Sequence, residues 1–331
     1  MQLTQKKSRR GDLLTAAAVA MLLAVMAALL YTGSLTRQVT NMLIPTAVYI
    51  VMAVSLNLVV GLLGELSLGH AGFMSVGLFS GCLVAISLTN TALPLMVRLP
   101  VSMLAGGLTA AVFGLLVGLP TLRLRGDYLA IVTLACGEII KNIITNLRVT
   151  GGALGLNTTA IYAGAKELLP YGAALVLLTV AVMLNLKRSK YGRAIMAIRD
   201  NRIAAESVGL SVTRYKLAVF VIAAFFAGCA GVLYGHSLAN IKAAAFDYNM
   251  SIEILVIVVL GGMGSVPGSV VSAIVLTVLP EALREVADYR MLVYAVVLIL
   301  VMQATNNPAM KQFFGAACKS LTPKRKERAA L

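Results

Sequence analysis

The sequence predicts an all-α protein that crosses a membrane about ten times, and three observations carry that reading. Of 331 residues, 59% are hydrophobic and only 12% are charged, against about 25% charged in soluble domains. Apolar runs long enough to span a bilayer recur along the chain with polar punctuation between them. The basic residues gather in short clusters between those runs. With a mean hydropathy of +0.90, a water-soluble fold of this size has no way to hide its apolar surface. Lipid removes the difficulty, because it solvates the outer faces of the helices.

The candidate spans are roughly 13–31, 40–60, 72–89, 99–119, 127–147, 170–186, 215–235, 251–263, 267–283 and 288–304. The first follows Lys6, Lys7, Arg9 and Arg10. Its apolar run from Leu13 to Leu30 is longer than the roughly 7–15 residues of a cleaved signal core, so it reads as a retained helix. The span at 127–147 carries Glu138 and Lys141, and 251–263 is short enough to be a half-helix. The organisation expected is a cytoplasmic N-terminus at 1–12, a membrane domain at 13–304 with a cytoplasmic loop at 187–214, and a basic cytoplasmic tail at 305–331.

The positive-inside rule supports this arrangement. With both termini cytoplasmic, twenty of the 28 Lys and Arg residues fall on the inside and seven outside, leaving Lys141 within a span. A net charge of +15 also invites a nucleic-acid reading, but clustering between apolar runs argues for membrane orientation instead. Cys82, Cys136, Cys229 and Cys318 are far apart, with no zinc or disulfide spacing. They read as small buried hydrophobes.

Two stretches look alike. Residues 55–77 and 256–274 each run from an apolar helix through a glycine-rich break into a second apolar helix that begins with small residues. Irregular backbone at membrane depth must face protein or a watery cavity, and paired glycine-interrupted helices point to a transport path. Two tight interhelix turns are the plainer alternative. Candidate path residues are Asn57, Glu65 and His70 at the first break, and Gly261, Gly262 and Gly264 at the second. Glu138 joins them, because an ionisable group inside a span is a functional candidate by default. Lys141 lies three residues on and shares its face, so an internal ion pair is the competing reading. His70 alone is too little for a metal site, and no metal is expected. The pairs Gly77/Gly81, Gly114/Gly118 and Gly231/Gly235 have the spacing that lets helices approach closely in lipid.

The loop at 187–214 is the longest polar stretch. Within it, Asp200 reads as an N-cap, Asn201 to Val208 as about two helical turns, and Gly209 as the left-handed residue that closes them. Ile203, Ala204 and Ser207 share one side, and Arg199, Arg202 and Glu206 supply charge. A short capped helix with a small-residue face suits docking in a groove of another protein. A basic loop lying on anionic lipid explains the charge but not the caps.

The run Tyr191-Gly192-Arg193-Ala194, then Ala197-Ile198-Arg199-Asp200-Asn201 and Ala204-Ala205-Glu206-Ser207-Val208-Gly209-Leu210, resembles the coupling-loop signature of branched-chain amino acid ABC permeases. So do Ser55-Leu56-Asn57 with Gly61, Gly64, Ser67, Gly69, His70, Ala71 and Gly72, Gly126-Asp127-Tyr128 with Thr133-Leu134 and Glu138, Gly151-Gly152 with Gly155-Leu156, and Gly261-Gly262-Met263-Gly264 with Gly268. The resemblance covers roughly residues 40–305. It implies the type II ABC importer permease fold of ten helices, in the inner membrane. It also implies a second related permease subunit, two cytoplasmic ATPase subunits and an extracytoplasmic binding protein that delivers solute. Arg199, Asp200, Asn201, Ala204, Ala205, Glu206 and Gly209 would form the loop that meets an ATPase subunit. The implied cargo is a branched-chain amino acid, or urea or a related small amide or amino acid.

No G-x-x-x-x-G-K-[ST] phosphate loop occurs. The nearest string, from Gly315 to Lys319-Ser320, lacks the glycine before the lysine. The chain is therefore expected to be a transport subunit and not an enzyme, binding no cofactor of its own, with ATP and Mg used by the partner ATPases. An ion-coupled transporter shares the broken helices but has no need of a docking helix. A membrane enzyme would show a nucleophile or metal motif, and a scaffold would not need paired breaks.

Overall fold

The computed structural model describes residues 2–32, 36–89, 94–124 and 126–282, with Val296 and Ile299 as isolated helical positions. The chain falls into two compact units, Met1–Val278 and Leu279–Leu331. The described part of the second is the last turn of one helix together with Val296 and Ile299, both exposed. The tenth expected span at 288–304, the tail at 305–331 and Cys318 lie outside the described residues.

Eleven helices follow in order: α1 (Gln2–Tyr31), α2 (Arg37–Asn57), α3 (His70–Thr89), α4 (Leu95–Thr121), α5 (Asp127–Asn146), α6 (Ala165–Arg188), α7 (Lys190–Asp200), α8 (Arg202–Ser207), α9 (Val212–His236), α10 (Tyr248–Gly261) and α11 (Val266–Ala282). Each of the first nine expected spans has its helix. Among the described residues, seven helical stretches are long and apolar enough to cross a membrane, and Ala16–Leu30 and Val266–Pro280 are shorter apolar helices. The N-terminal segment 1–12 is not set apart, because α1 runs on from Gln2 without a break.

The middle of the fold is α2, whose apolar window is 89% buried, while α4 and α5 bury only 39% and 28% of theirs. A helix that is apolar all round belongs inside a bundle or in lipid, and here both occur. Helix α2 packs on α6, α9 and α10, and beside it α3, α4 and α9 form a tight unit through small residues. A Cβ on Gly77 would collide with the backbone of Gly228, one on Gly114 with Ala224, and one on Gly231 with the carbonyl of Met74. Close backbone approach supplies the dispersion contacts that hold helices together where lipid competes for apolar surface.

Two connections at the far ends of these helices are stitched together. Strand β1 (Leu156–Asn157) pairs antiparallel with β2 (Asn240–Ile241), setting Leu156 opposite Ile241. Thr158 donates from its backbone N–H to Ala239 O at 3.0 Å and from its hydroxyl to Leu238 O at 2.5 Å. This clip holds the α5–α6 connection against the α9–α10 connection, and so fixes where α10 begins.

Candidate functional site

The first break is built from an irregular helix. After Asn57 the chain continues as a π-helix, Leu58–Leu63, and stops at Gly64 with φ +79°. Wide turns of this kind occur mostly as functional irregularities, and a left-handed closing residue favours glycine. Terminating a helix leaves its last carbonyls without intrahelical partners. Gly61 O is one of these, and it accepts a hydrogen bond from Arg199 Nη1 at 3.0 Å. The Arg199 side chain lies over Gly64, where an added Cβ would come within 2.5 Å of its Cγ.

The second break, between α10 and α11, turns on Gly262 (φ +87°) and Gly264 (φ +81°). Gly264 O accepts from Lys187 Nζ at 2.9 Å, and Lys187 sits in the last turn of α6. Both breaks are thus covered by a cation from the segment that leads into or through the 187–214 loop. At Gly61 the charge is favourable because the carbonyl ends of the dipoles gather at a helix C-terminus.

The two breaks also meet each other, through Asn57. Its Oδ1 accepts from Gly264 N at 2.7 Å, and its Nδ2 donates to Ser265 O at 3.1 Å and Ser269 Oγ at 2.8 Å. Asn57 is fully buried, so its amide is a satisfied cross-link 207 residues in reach. Gly61 has to be glycine here, because a Cβ would overlap both Asn57 Oδ1 and Gly264 N. Gly261 is equally constrained, since its Cβ would meet the backbone of Gly268 on α11. Asn57, Gly61, Gly261, Gly264, Arg199 and Lys187 therefore form one junction. The sequence pointed to both breaks separately; their contact, and the two cations, carry no local signal.

Glu65 and His70 flank the junction without joining it. Glu65 forms an ion pair with Lys216 on α9, with the two side chains 13% and 6% exposed. Lys216 falls within the expected span 215–235 and is buried there. His70 is buried and pairs its Nε2 with Ser55 Oγ at 2.8 Å. Leu68 N donates to Thr133 Oγ1 at 3.1 Å and Ala71 N to Ser251 Oγ at 3.2 Å, so hydroxyls from α5 and α10 satisfy the opened backbone. Among the described residues no group of three His, Cys, Asp or Glu side chains is placed to hold a metal ion.

The loop departs from the sequence reading at its cap. Asp200 is the last residue of α7, and Asn201 is the N-cap of α8, accepting from Ala204 N at 3.0 Å through Oδ1. Asn and Asp are about equal as caps, and the one-residue shift frees Asp200 to hold the Arg199 guanidinium at 3.0 Å. Gly209 closes the turn with φ +84°, as expected. Ala205 is not part of an outer face: it is buried against Ile198 and Val212, with Leu210 and Tyr215 packed around them. The outer face holds Ala204 and Ser207 with Ile203 (80% exposed) and Val208 (76% exposed). Glu206 pairs with Arg202 at 2.8 Å on the flank. Ser189, which caps α7 by accepting from Gly192 N, and the tilted Tyr191–Tyr215 ring pair, centroids 6.2 Å apart, fix the loop to α9.

Glu138 lies away from the junction. It pairs with Lys141 on its own helix and accepts from Tyr248 N at 3.0 Å. It therefore caps the start of α10 from outside, beside the helix's own N-cap Asp247, which accepts from Met250 N. Of the two readings of Glu138 made from sequence, the ion pair with Lys141 is present.

Comparison with known proteins agrees with these features. Residues 38–302 match the family model for the branched-chain amino acid transport system permease component. The chain is 36% identical over 288 residues to the high-affinity branched-chain amino acid transport system permease protein LivM of Salmonella typhimurium, covering 78% of this chain and 66% of that protein, just under two thirds of its length. It is 31% identical over 126 residues to the permease protein LivH of the same system and organism, 37% of this chain and 40% of that one. It is 25% identical over 281 residues to the ribose import permease protein RbsC of Haemophilus influenzae, covering 81% and 84%. No solved structure matches.

Proposed function

The chain belongs to the branched-chain amino acid transport permease family of multi-pass membrane transport subunits, and from that premise we propose that it imports branched-chain amino acids by ATP-driven alternating access. It works beside a second, related permease subunit in the inner membrane. Two cytoplasmic ATPase subunits take the 190–210 loop, and an extracytoplasmic binding protein hands over the solute. ATP and Mg act on those ATPases, and this chain supplies the moving path. Ten spans with both termini in the cytoplasm fit the distribution of basic residues.

The observation that carries this reading is the junction. A loop that only lies on the membrane surface has no reason to send Arg199 onto a carbonyl of one broken helix while the neighbouring Lys187 holds a carbonyl of the other. Coupling requires a contiguous physical connection between the place where ATP acts and the place where the path opens. Here the exposed Ile203 and Val208 face outward to a partner, and nine residues or fewer away Arg199 reaches the breaks. Displacing the loop pulls on both helix ends together, because Asn57 ties them to each other.

The test is co-purification from mild detergent followed by uptake in vesicles. The native chain is expected to bring down an ATPase pair and to take up leucine only with ATP. An intact permease pair that captures no ATPase, or that drives uptake from an ion gradient without ATP, contradicts the proposal.

A further inference from the structure

The buried ion pair of Glu65 with Lys216 takes no part in the junction, yet it joins neighbouring elements. Glu65 lies in the irregular stretch 64–69 between the first break and α3. Lys216 lies four residues into α9, roughly 6 Å along it at 1.5 Å per residue. With both termini in the cytoplasm, α2 descends to the side from which α9 starts, so the pair ties the two together at the cytoplasmic end. Irregular backbone at this depth faces protein or a watery cavity.

Each member of the pair is next in sequence to a residue that the 187–214 loop holds. Gly64, before Glu65, lies under the Arg199 side chain. Tyr215, before Lys216, packs on Ile198, Ala205 and Val212 and meets the ring of Tyr191. A displacement of the loop therefore acts on both halves of the pair, through two separate contacts.

The pair is also incompletely satisfied. Lys216 meets Oε1 of Glu65, while Oε2 is buried with no hydrogen-bond partner among the described residues. The hydroxyl of Ser67, two residues on and 1% exposed, is in the same position. Such orphaned groups are costly, and apolar residues of similar volume hold a buried contact as well as an ion pair does. An arrangement built only to fasten 64–69 to α9 has no use for these charges. Water entering the stretch solvates both charges and both orphaned oxygens, so opening relieves what the closed arrangement costs.

We infer that Glu65 and Lys216 are a positioning pair that latches the cytoplasmic mouth of the path. They hold 64–69 against α9 until the ATPases displace the loop, which parts them and wets the stretch. The inference rests on the ATP-driven import proposed above and names the contact that the loop opens.

The test uses the assembled transporter, with the four native cysteines of this chain replaced by alanine or serine. ATP-dependent leucine uptake by this parent is measured first in vesicles. Ser67→Cys is then added as a near-isosteric reporter, and its labelling by a cationic methanethiosulfonate is followed in lipid nanodiscs, where both faces meet the reagent. Turnover with ATP, leucine and binding protein is expected to speed labelling about ten-fold, because an open form populated at the per-cent level at rest becomes a major one. Glu65→Gln with Lys216→Met removes both charges and leaves neither buried alone. It should assemble normally and label fast without ATP, which a merely structural pair would not do. One labelling rate with and without turnover, in a parent that imports leucine, overturns the latch and leaves the import function standing. A neutralised pair that labels as slowly as the resting parent overturns it too. If the neutralised pair fails to assemble, the turnover dependence of Ser67→Cys decides alone. A parent that imports nothing with ATP refutes the import reading, and the ATP-driven latch falls with it.

Discussion

Charged side chains close open helix ends at two places in this molecule, and the two differ in sign, burial and attachment. At the junction of the breaks, Arg199 covers a carbonyl at the C-terminal end of the first broken helix and Lys187 one in the turn between α10 and α11, around a fully buried Asn57. At the start of α10, the Glu138 carboxylate covers an N-terminal N–H and remains part-exposed beside Lys141. The same dipole argument explains both, with opposite sign. The difference separates two roles. The junction ties the 187–214 loop to both breaks, as the proposed coupling requires. The α5 ion pair touches neither break and ties α5 to the start of α10.

Breaking the buried end should have the largest effect. Asn57→Leu leaves the part-buried Gly264 N–H without its partner, at about 1–3 kcal/mol, while Ser265 O keeps the Ser269 N–H. Assembled transporter is expected to fall several-fold by quantitative immunoblot, with a lower thermal midpoint in detergent, because such a loss takes a sizeable part of a protein's marginal stability. Asn57→Asp should fail as well, since a carboxylate has no N–H to give Ser265 O. Normal abundance in either variant would show that the amide cross-link is dispensable.

The loop's outer face sharpens the comparison by separating folding from coupling. Ile203→Asp changes an 80% exposed side chain, so stability should stay within about ±0.5 kcal/mol. ATPase capture should nevertheless be lost in a pull-down. Ala205→Arg makes the complementary case: burying a guanidinium against Ile198 and Val212 should unfold α8 itself, seen as rapid proteolysis of the loop. If Ile203→Asp still captures its ATPases, the docking surface lies elsewhere.

The smallest effect belongs to the exposed end. Glu138→Gln keeps an acceptor for Tyr248 N–H but removes the charge, and part-exposed ion pairs contribute little to stability. Abundance and leucine uptake per transporter should both stay within about two-fold of native, as expected for a part-exposed pair that ties α5 to α10. Uptake lost at normal abundance would show that the pair does more than hold the two helices.

Much of this was legible in the sequence, and the remainder fails for identifiable reasons. Apolar length marked nine of the helices. Glycine marked both breaks, since Gly64, Gly262 and Gly264 adopt positive φ. Glu138 and Lys141 at i, i+3 announced their pair. The cap at Asn201 was missed by one residue because Asp200 beside it is an equally good cap in isolation. The burial of Lys216 carries no local signal, because its partner Glu65 is 151 residues away. The π-turns at 58–63 leave no mark on hydrophobic periodicity. The bond from Arg199 to Gly61 joins residues 138 apart, and no local pattern encodes it.

The most direct test of the account is the number of leucine molecules moved per ATP in an Arg199→Ala transporter. That variant should keep its membrane abundance, hold its ATPases through Ile203 and Val208, and hydrolyse ATP. Its uptake per ATP should fall about ten-fold or more, because a charge-assisted hydrogen bond contributes roughly 1.5–3 kcal/mol, and Arg199→Lys should recover only part of that, since lysine is a point charge without the planar fork. Undiminished uptake per ATP in Arg199→Ala would contradict transmission through the junction.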